Sequence, residues 1–307
     1  MLVVEEAKAI ALKLNNPQRV LECIPTAHIM PKYDNLVVLP HKPEEVRVLR
    51  NLGIKAPAPI MHYYDWVGDF TPYAHQKSTA AFLTMNKKAL VLNEIGTGKT
   101  QSALWAADYM MNMGVINKVL IISPLSTLER VWGDAIFKGM LHRRHVVLHG
   151  TAKRRRKLLA TDVDFYIVNH DGFSIISDEA IGMFDLVIID EAAVYRTPNT
   201  TRFRLFSKWM TSNPDVRLWL MTGTPTPNNP TDAWSLAKLV DSPYAPRTYG
   251  GFRDQVMEKF GRWSYQPKAG ALDTVKHVLQ PAVRYTRDEG FDLPPTVFQT
   301  REVKLTA

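Results

Sequence analysis

Short runs of residues that are apolar throughout recur at 89–92, 119–123, 146–149, 165–168, 186–190 and 218–222. Stretches with helical spacing alternate with them, at 99–113, 125–137, 151–160, 202–210 and 231–240. A strand with no polar face must be covered on both sides, and strands separated by helices pair in parallel. The pattern therefore predicts an α/β fold with a doubly wound parallel sheet, in which ligands sit at the carboxyl ends of the strands. At roughly 150 residues per domain, 307 residues allow two domains, or one with an accessory piece. Hydrophobic residues at 46% and charged residues at 22% exclude a disordered or fibrous chain.

The region up to Trp66 reads as a small α+β unit. Residues 35–39 suit a short strand, and Pro43 opens a helix with Val46, Leu49 and Leu52 on one face and Gly53 at its end. Pro57 and Pro59 follow in a stiff connection. The expected division is 1–66 as an accessory unit, 67–290 as the main lobe and 291–307 as a linker or the start of a further lobe. One cysteine, Cys23, excludes an internal disulfide and a cysteine zinc site. The aliphatic runs are too short to span a bilayer. The first residues carry Glu5 and Glu6 and show no signal peptide. A net charge of +8 suits a polyanionic partner, although charge alone reads equally well as solubility.

Three strand ends carry chemistry. The first reads Asn93-Glu94-Ile95-Gly96-Thr97-Gly98-Lys99-Thr100 and opens a helix. Gly96 and Gly98 permit a tight turn with N–H groups directed inward, and a helix N-terminus adds partial positive charge. Lys99 has the reach for β and γ phosphates, and Thr100 offers a hydroxyl to Mg²⁺. The strict phosphate-loop pattern has glycine where Asn93 stands, so the match is to its second half; the competing reading is a structural turn. In the next helix Ala103, Ala107, Met110 and Met111 share a face and read as core.

The second strand end is Asp190-Glu191-Ala192-Ala193, whose Asp190 lies 91 residues after Lys99. Adjacent carboxylates leaving a buried strand are costly without a partner. Mg²⁺ beside a triphosphate supplies one: Asp190 would hold the metal through water, and Glu191 would orient or deprotonate an attacking water. The third is Thr222-Gly223-Thr224-Pro225-Thr226-Pro227-Asn228, a stiff loop whose hydroxyls can serve the carboxylates or a nucleic-acid backbone.

This ordered set resembles motifs one, two and three of superfamily-two helicases, and finer detail resembles the Swi/Snf-type branch. Asn93 to Thr100 is similar to that branch's Asp-Glu-Met-Gly-Leu-Gly-Lys-Thr, with Asn93 in place of aspartate. Ser123-Pro124-Leu125 followed by Trp132 is similar to motif one-a, and Thr222 to Asn228 to Thr-Gly-Thr-Pro-x-x-Asn. Ala193 stands where the second motif has histidine. Tyr73-Ala74-His75-Gln76 resembles the upstream element whose glutamine reads adenine, and Tyr73 would pack on the base or belong to the core. Arg284 and Arg287, then Leu293-Pro294-Pro295, resemble the exit from the first RecA-like lobe.

The resemblance covers about Phe70 onward. It implies the ATP-binding first lobe of an ATP-dependent DNA translocase or helicase, with ATP and Mg²⁺ as ligands. Gln76, Gly96, Thr97, Gly98, Lys99 and Thr100 would contact nucleotide, Thr100 and Asp190 the metal, and Lys99 and Glu191 would serve catalysis. Backbone contacts to DNA are expected from Ser126, Thr127, Thr224 and Asn228, with Asn169 and His170 as further candidates because they end another strand on the same edge. The second RecA-like lobe, with its arginine-rich motif, is not in these 307 residues, so the chain alone is expected to be nearly inactive. The compactness resembles phage or bacterial members, which implies a cytoplasmic protein, or a nuclear one in a eukaryote. The alternative is a non-enzymatic module that binds nucleotide, DNA or protein on a helicase-lobe scaffold. Two basic clusters stay open between solvated surface and phosphate contact: His142-Arg143-Arg144-His145 and Lys153-Arg154-Arg155-Arg156-Lys157.

Overall fold

A computed structural model describes residues 1–290 apart from 34, 70, 262 and 263; the expected exit element at Leu293 to Pro295 lies outside the described residues. Four strands near the N-terminus, β1 (Leu2–Val4), β2 (Ala9–Lys13), β3 (His28–Ile29) and β4 (Leu36–Pro40), form an antiparallel sheet in the order β1-β2-β4-β3. The helix Pro43–Asn51 follows and buries Val46 and Leu49 as its spacing predicts. The sequence pattern marked β4 and missed β1 to β3.

The main sheet contains β5 (Lys88–Val91), β6 (Val119–Ser123), β7 (His145–Val147), β8 (Phe165–Asn169), β9 (Leu186–Ile189) and β10 (Arg217–Met221). An exposed hairpin, β11 (Met257–Phe260) with β12 (Ser264–Pro267), precedes β13 (Ala282–Val283). The seven-stranded order is β13-β5-β10-β9-β6-β8-β7, and every pair is parallel. The six expected strands are present, each displaced by no more than two residues.

Alternation along each strand explains why none has a polar face. Val91, Ile121, Ile167, Ile188 and Met221 join one core, with Ile10, Leu12, Val37 and Leu39 of the small sheet and Leu83 of helix Ala74–Met85. Leu90, Ile122, Val168, Ile189 and Leu220 join the other, against Phe206 of helix Thr201–Ser212 and Leu236 of helix Ala233–Leu239. The doubly wound expectation is met, and the antiparallel sheet helps to cover one face. The stretch expected to be a helix at 125–137 is instead three tandem turns: a 3₁₀ turn Leu125–Thr127, a π-helix Leu128–Gly133 and an α-helix Asp134–Gly139.

A fully buried carboxylate, Asp108, fastens the layers on the first face. Tyr64 Oη donates to its Oδ2 at 2.8 Å, and Arg143 Nε donates to its Oδ1 at 2.6 Å. His142 Nε2 lies 2.8 Å from Oδ1. Burial and the Asp108 charge push the Tyr64 hydroxyl far above the usual tyrosine range. His142 and Arg143 of the first basic cluster are therefore internal partners of a buried acid. Removing one member of such a pair strands the other. Asp108→Ala is expected to cost about 3–5 kcal/mol, whereas Arg144→Ala, on an exposed side chain, should stay within roughly 0.5 kcal/mol; urea unfolding midpoints of the two variants test the contrast.

Candidate functional site

Between β5 and helix Lys99–Asn112 the chain turns through Gly96 and Gly98, whose φ angles of +86° and +79° only glycine adopts without strain. A Cβ on Gly98 would lie 2.1 Å from Gln76 Nε2, so the loop is pressed against helix Ala74–Met85. No side chain among the described residues caps the helix at Gly98, which leaves first-turn N–H donors for an anion. Lys99 Nζ donates to the carbonyls of Asn93 at 2.9 Å and Glu94 at 3.0 Å, across the mouth of the loop. Burial lowers its pKa, and the charges of Asp190 and Glu191 oppose that shift. Thr100, next along, is half-buried.

Thr97, expected to contact nucleotide, also bonds within the loop. Its hydroxyl donates to Glu94 O at 2.8 Å and its N–H bonds the same carbonyl at 3.4 Å, so it holds the loop's own shape. Its carbonyl accepts from Gln76 Nε2 at 3.3 Å and lies 2.9 Å from His75 Nε2. Gln76 also accepts from Tyr73 N–H at 3.1 Å. An amide has two donors and two acceptor lone pairs, so one of each is left for a base edge. Tyr73 is 52% exposed and stacks on His75 at 5.8 Å, which removes it from the core.

Asp190 and Glu191 leave β9, and β10 alone separates β9 from β5. Burial raises the pKa of Asp190; hydrogen bonds from Trp132 and from Glu191 N–H, and the Lys99 charge, oppose the shift. Trp132 Nε1 donates to Asp190 Oδ2 at 3.1 Å, and Glu191 N–H donates to Oδ1 at 3.0 Å. The Glu191 pKa is raised by burial, then by Asp190, against the pull of Lys99. That direction suits a group that must take a proton near neutrality. Glu191 is left-handed, with φ +50°, a conformation that strains a non-glycine residue and recurs at functional sites.

Thr222 is buried at the end of β10, and its hydroxyl accepts from Thr224 N–H at 3.2 Å. Thr224 and Asn228 are exposed. Asp232 accepts from the N–H groups of Asn228 at 3.2 Å and Asn229 at 3.3 Å, and lies 3.9 Å from Arg196 Nε. Arg196 donates to Ala193 O at 3.1 Å. An arginine thus bridges the second and third motifs where Ala193 replaces histidine.

Past β6, Ser126 is exposed and Thr127 is half-buried, its hydroxyl donating to Pro124 O at 3.0 Å. A groove of about 580 Å³ opens there, lined by Ser126, Glu129, Arg130, His149 and Arg154 among others. Asn169 and His170, expected at DNA, are drawn inward. Arg155 donates to Asn169 Oδ1 at 3.0 Å and to the carbonyls of Leu148 at 2.5 Å and Gly150 at 3.0 Å. His170 is 9% exposed and packs edge-on against Tyr195; burial brings its pKa down to about 4. The second basic cluster divides likewise: Arg155 faces in, Arg156 pairs with Glu179 at 2.5 Å, and Arg154 borders the groove.

Residues near the end of the described chain complete the loop. Asn93 is buried; its Nδ2 donates to Thr79 Oγ1 at 2.9 Å and its Oδ1 accepts from Tyr285 N–H at 3.0 Å. Thr79 spends its own proton on His75 O at 2.8 Å, so an amide, which donates as well as accepts, suits this position where aspartate would not. Arg287 Nε donates to Ile95 O at 2.7 Å, and Arg287 N–H donates to Glu94 Oε2 at 3.1 Å. Thr79 and Asp108 carry no motif that marks them in the sequence, and Arg155 stands out there only as one charge of a basic cluster.

The SNF2-related domain model matches residues 62–307. The chain is 29% identical over 195 residues to protein p41 of Acyrthosiphon pisum secondary endosymbiont phage 1, covering 60% of this chain and 42% of that protein. It is 28% identical over 180 residues to the human DNA excision repair protein ERCC-6-like, covering 53% of this chain and 14% of the relative. It thus spans less than half the length of each. The fold is similar to the Sulfolobus solfataricus SWI2/SNF2 ATPase core in complex with dsDNA, with a TM-score of 0.56 and 21% identity over 71% of this chain and 45% of that one. Four-fifths of the sequence lies within one family's model and the sheet order places its motifs on a common edge: the chain belongs to the SNF2-related domain family.

Proposed function

We propose that this chain is the ATP-binding first lobe of a DNA translocase, in which hydrolysis drives movement along DNA. One observation carries the reading: Lys99 beyond β5, Thr222 beyond β10 and the Asp190–Glu191 pair beyond β9 stand at three consecutive strand ends, and the groove at Ser126 opens beyond β6 on the same sheet edge. The N–H groups after Gly98 and the Lys99 ammonium receive the phosphates, with Lys99 exchanging its loop carbonyls for phosphate oxygens. Gln76 offers its remaining donor and acceptor to adenine, with Tyr73 beside it. Glu191 accepts the proton of the attacking water.

Among the described residues no group of three or more His, Cys, Asp or Glu forms a metal cage. Mg²⁺ instead takes one or two carboxylates together with substrate phosphates, and buried Asp190 with the Thr100 hydroxyl fits that donor set. The ion would neutralise charge on the phosphates. We read residues 1–66 as an accessory unit to this lobe. DNA would lie along Ser126, Thr127, Thr224 and Asn228, held by its backbone so that the motor steps along any sequence. No helix among the described residues is long and apolar enough to cross a membrane.

Lys99→Ala should weaken ATP binding about tenfold or more, the equivalent of a charge-assisted hydrogen bond of roughly 1.5–3 kcal/mol. Gly98→Ala should do so as well, because the new methyl would displace Gln76. Calorimetric titration checks both, and wild-type affinity in Lys99→Ala would sink the phosphate assignment. DNA binding should fall steeply with salt as counterions are released. Arg154→Ala should weaken it and flatten the salt slope without changing stability, whereas Arg155→Ala should lower the unfolding midpoint; titrations at several salt concentrations beside urea curves separate them.

Turnover distinguishes a motor from a scaffold. An arginine from a facing lobe contributes about 10³–10⁵ in rate. A polypeptide of these 307 residues should therefore bind nucleotide and release phosphate negligibly. Joined to a second lobe it should show DNA-stimulated release, abolished by Glu191→Gln with ATP binding retained. Robust stimulated turnover by the 307 residues alone, measured as steady-state phosphate release, contradicts the half-site reading.

A further inference from the structure

We propose that Trp132 is a positioning residue for Asp190, and that it ties this carboxylate to the loop at Leu125–Thr127 so that contact at the loop is felt at the metal-holding group. The inference rests on the reading of Asp190 as the Mg²⁺ carboxylate. Trp132 is fully buried, and a buried indole N–H needs an acceptor. Its acceptor is the Asp190 carboxylate, at 3.1 Å. Glu191 N–H holds the other oxygen at 3.0 Å. Two donors on different segments therefore fix the plane of the carboxylate, one from its own turn and one from another motif.

The donor arrives on unusual backbone. Leu128–Gly133 is π-helical and follows directly on the 3₁₀ turn Leu125–Thr127. A π turn is rare and concentrates at functional sites. Within it only Leu128, Trp132 and Gly133 are buried, while Glu129 and Arg130 line the groove with Ser126. A single turn thus has its outer side in the groove and its inner side on Asp190. Movement of the outer side displaces the indole N–H and changes which orientation of the carboxylate is favoured. A tryptophan that merely filled space would work as well with its N–H on a backbone carbonyl, as Trp219 has at Asn86 O, 3.2 Å away.

The experiment uses the 307-residue chain, a fluorescent ADP analogue and a mixed-sequence duplex oligonucleotide. Nucleotide affinity is measured in EDTA and across Mg²⁺ concentrations, with and without the duplex, for wild type, Trp132→Phe and Trp219→Phe. Trp132→Phe is expected to leave affinity in EDTA unchanged within twofold, to raise the Mg²⁺ midpoint roughly tenfold, and to erase the shift that DNA causes in wild type. Trp219→Phe should lower thermal stability and leave the Mg²⁺ midpoint and its DNA shift in place. An unchanged midpoint in Trp132→Phe, or an equal loss with and without Mg²⁺, overturns the proposal. No Mg²⁺ dependence in wild type overturns the reading of Asp190 and the proposal with it. Should Trp132→Phe fail to fold, ¹⁹F spectra of the wild-type chain labelled with 5-fluorotryptophan decide, with resonances assigned by single replacement of the other six of its seven tryptophans. The Trp132 resonance should move on adding Mg²⁺ with ADP and again on adding duplex, and failure to respond to either one refutes the coupling.

Discussion

A parallel sheet buried on both faces has no side on which polar chemistry can sit, so its working groups collect where the strands run out. Here that constraint places Lys99 beyond β5, Thr222 beyond β10, Asp190 beyond β9 and Ser126 beyond β6, on strands that are neighbours in that order. Groups far apart in sequence meet because β10 is inserted between β5 and β9, and β9 between β10 and β6. The inner helices and the antiparallel sheet supply the cover that lets these strands be apolar on both sides.

The loop from Asn93 to Lys99 is held mainly by neutral hydrogen bonds. Gln76 and Asn93 each join separate segments by donating and accepting at once. This leaves the cation, Lys99, resting on carbonyl oxygens that cost little to exchange for those of a phosphate. The two acids across the strand end are disfavoured by burial as anions, which suits a site that gains from cations arriving with its ligand.

Short-range patterns made the strand ends legible. Gly96, Gly98 and Lys99 announce a turn and a charge within five residues, and Asp190 follows an unbroken apolar run. What stayed hidden depends on contacts between distant residues. Arg143 and Arg155 looked like solvent or DNA contacts because sequence shows a charge and not its partner; Asp108 and Asn169 are that partner. His170 stands at a strand end like the others, yet it is buried against Tyr195, a packing that sequence does not show. The strands β1 and β3 have three and two residues and β13 has two, too few for any periodicity, while β2 pairs only with β1 and β4 inside the small sheet and shows no turn motif that marks it.

Placing β13 at the outer edge of the sheet has a mechanical side. Pro281 O, Val283 O and Tyr285 O accept in turn from the N–H groups of Leu90, Leu92 and Glu94, and Tyr285 N–H returns to Asn93. The edge strand is therefore laced to the strand that ends in the Gly96–Gly98 loop. A pull along β13 loads these bonds together in shear, and two of the residues it is tied to, Asn93 and Glu94, are those whose carbonyls hold Lys99. Strain on the edge strand is thereby delivered to the backbone that cradles the lysine, and a change in the loop's shape alters how firmly β13 is held.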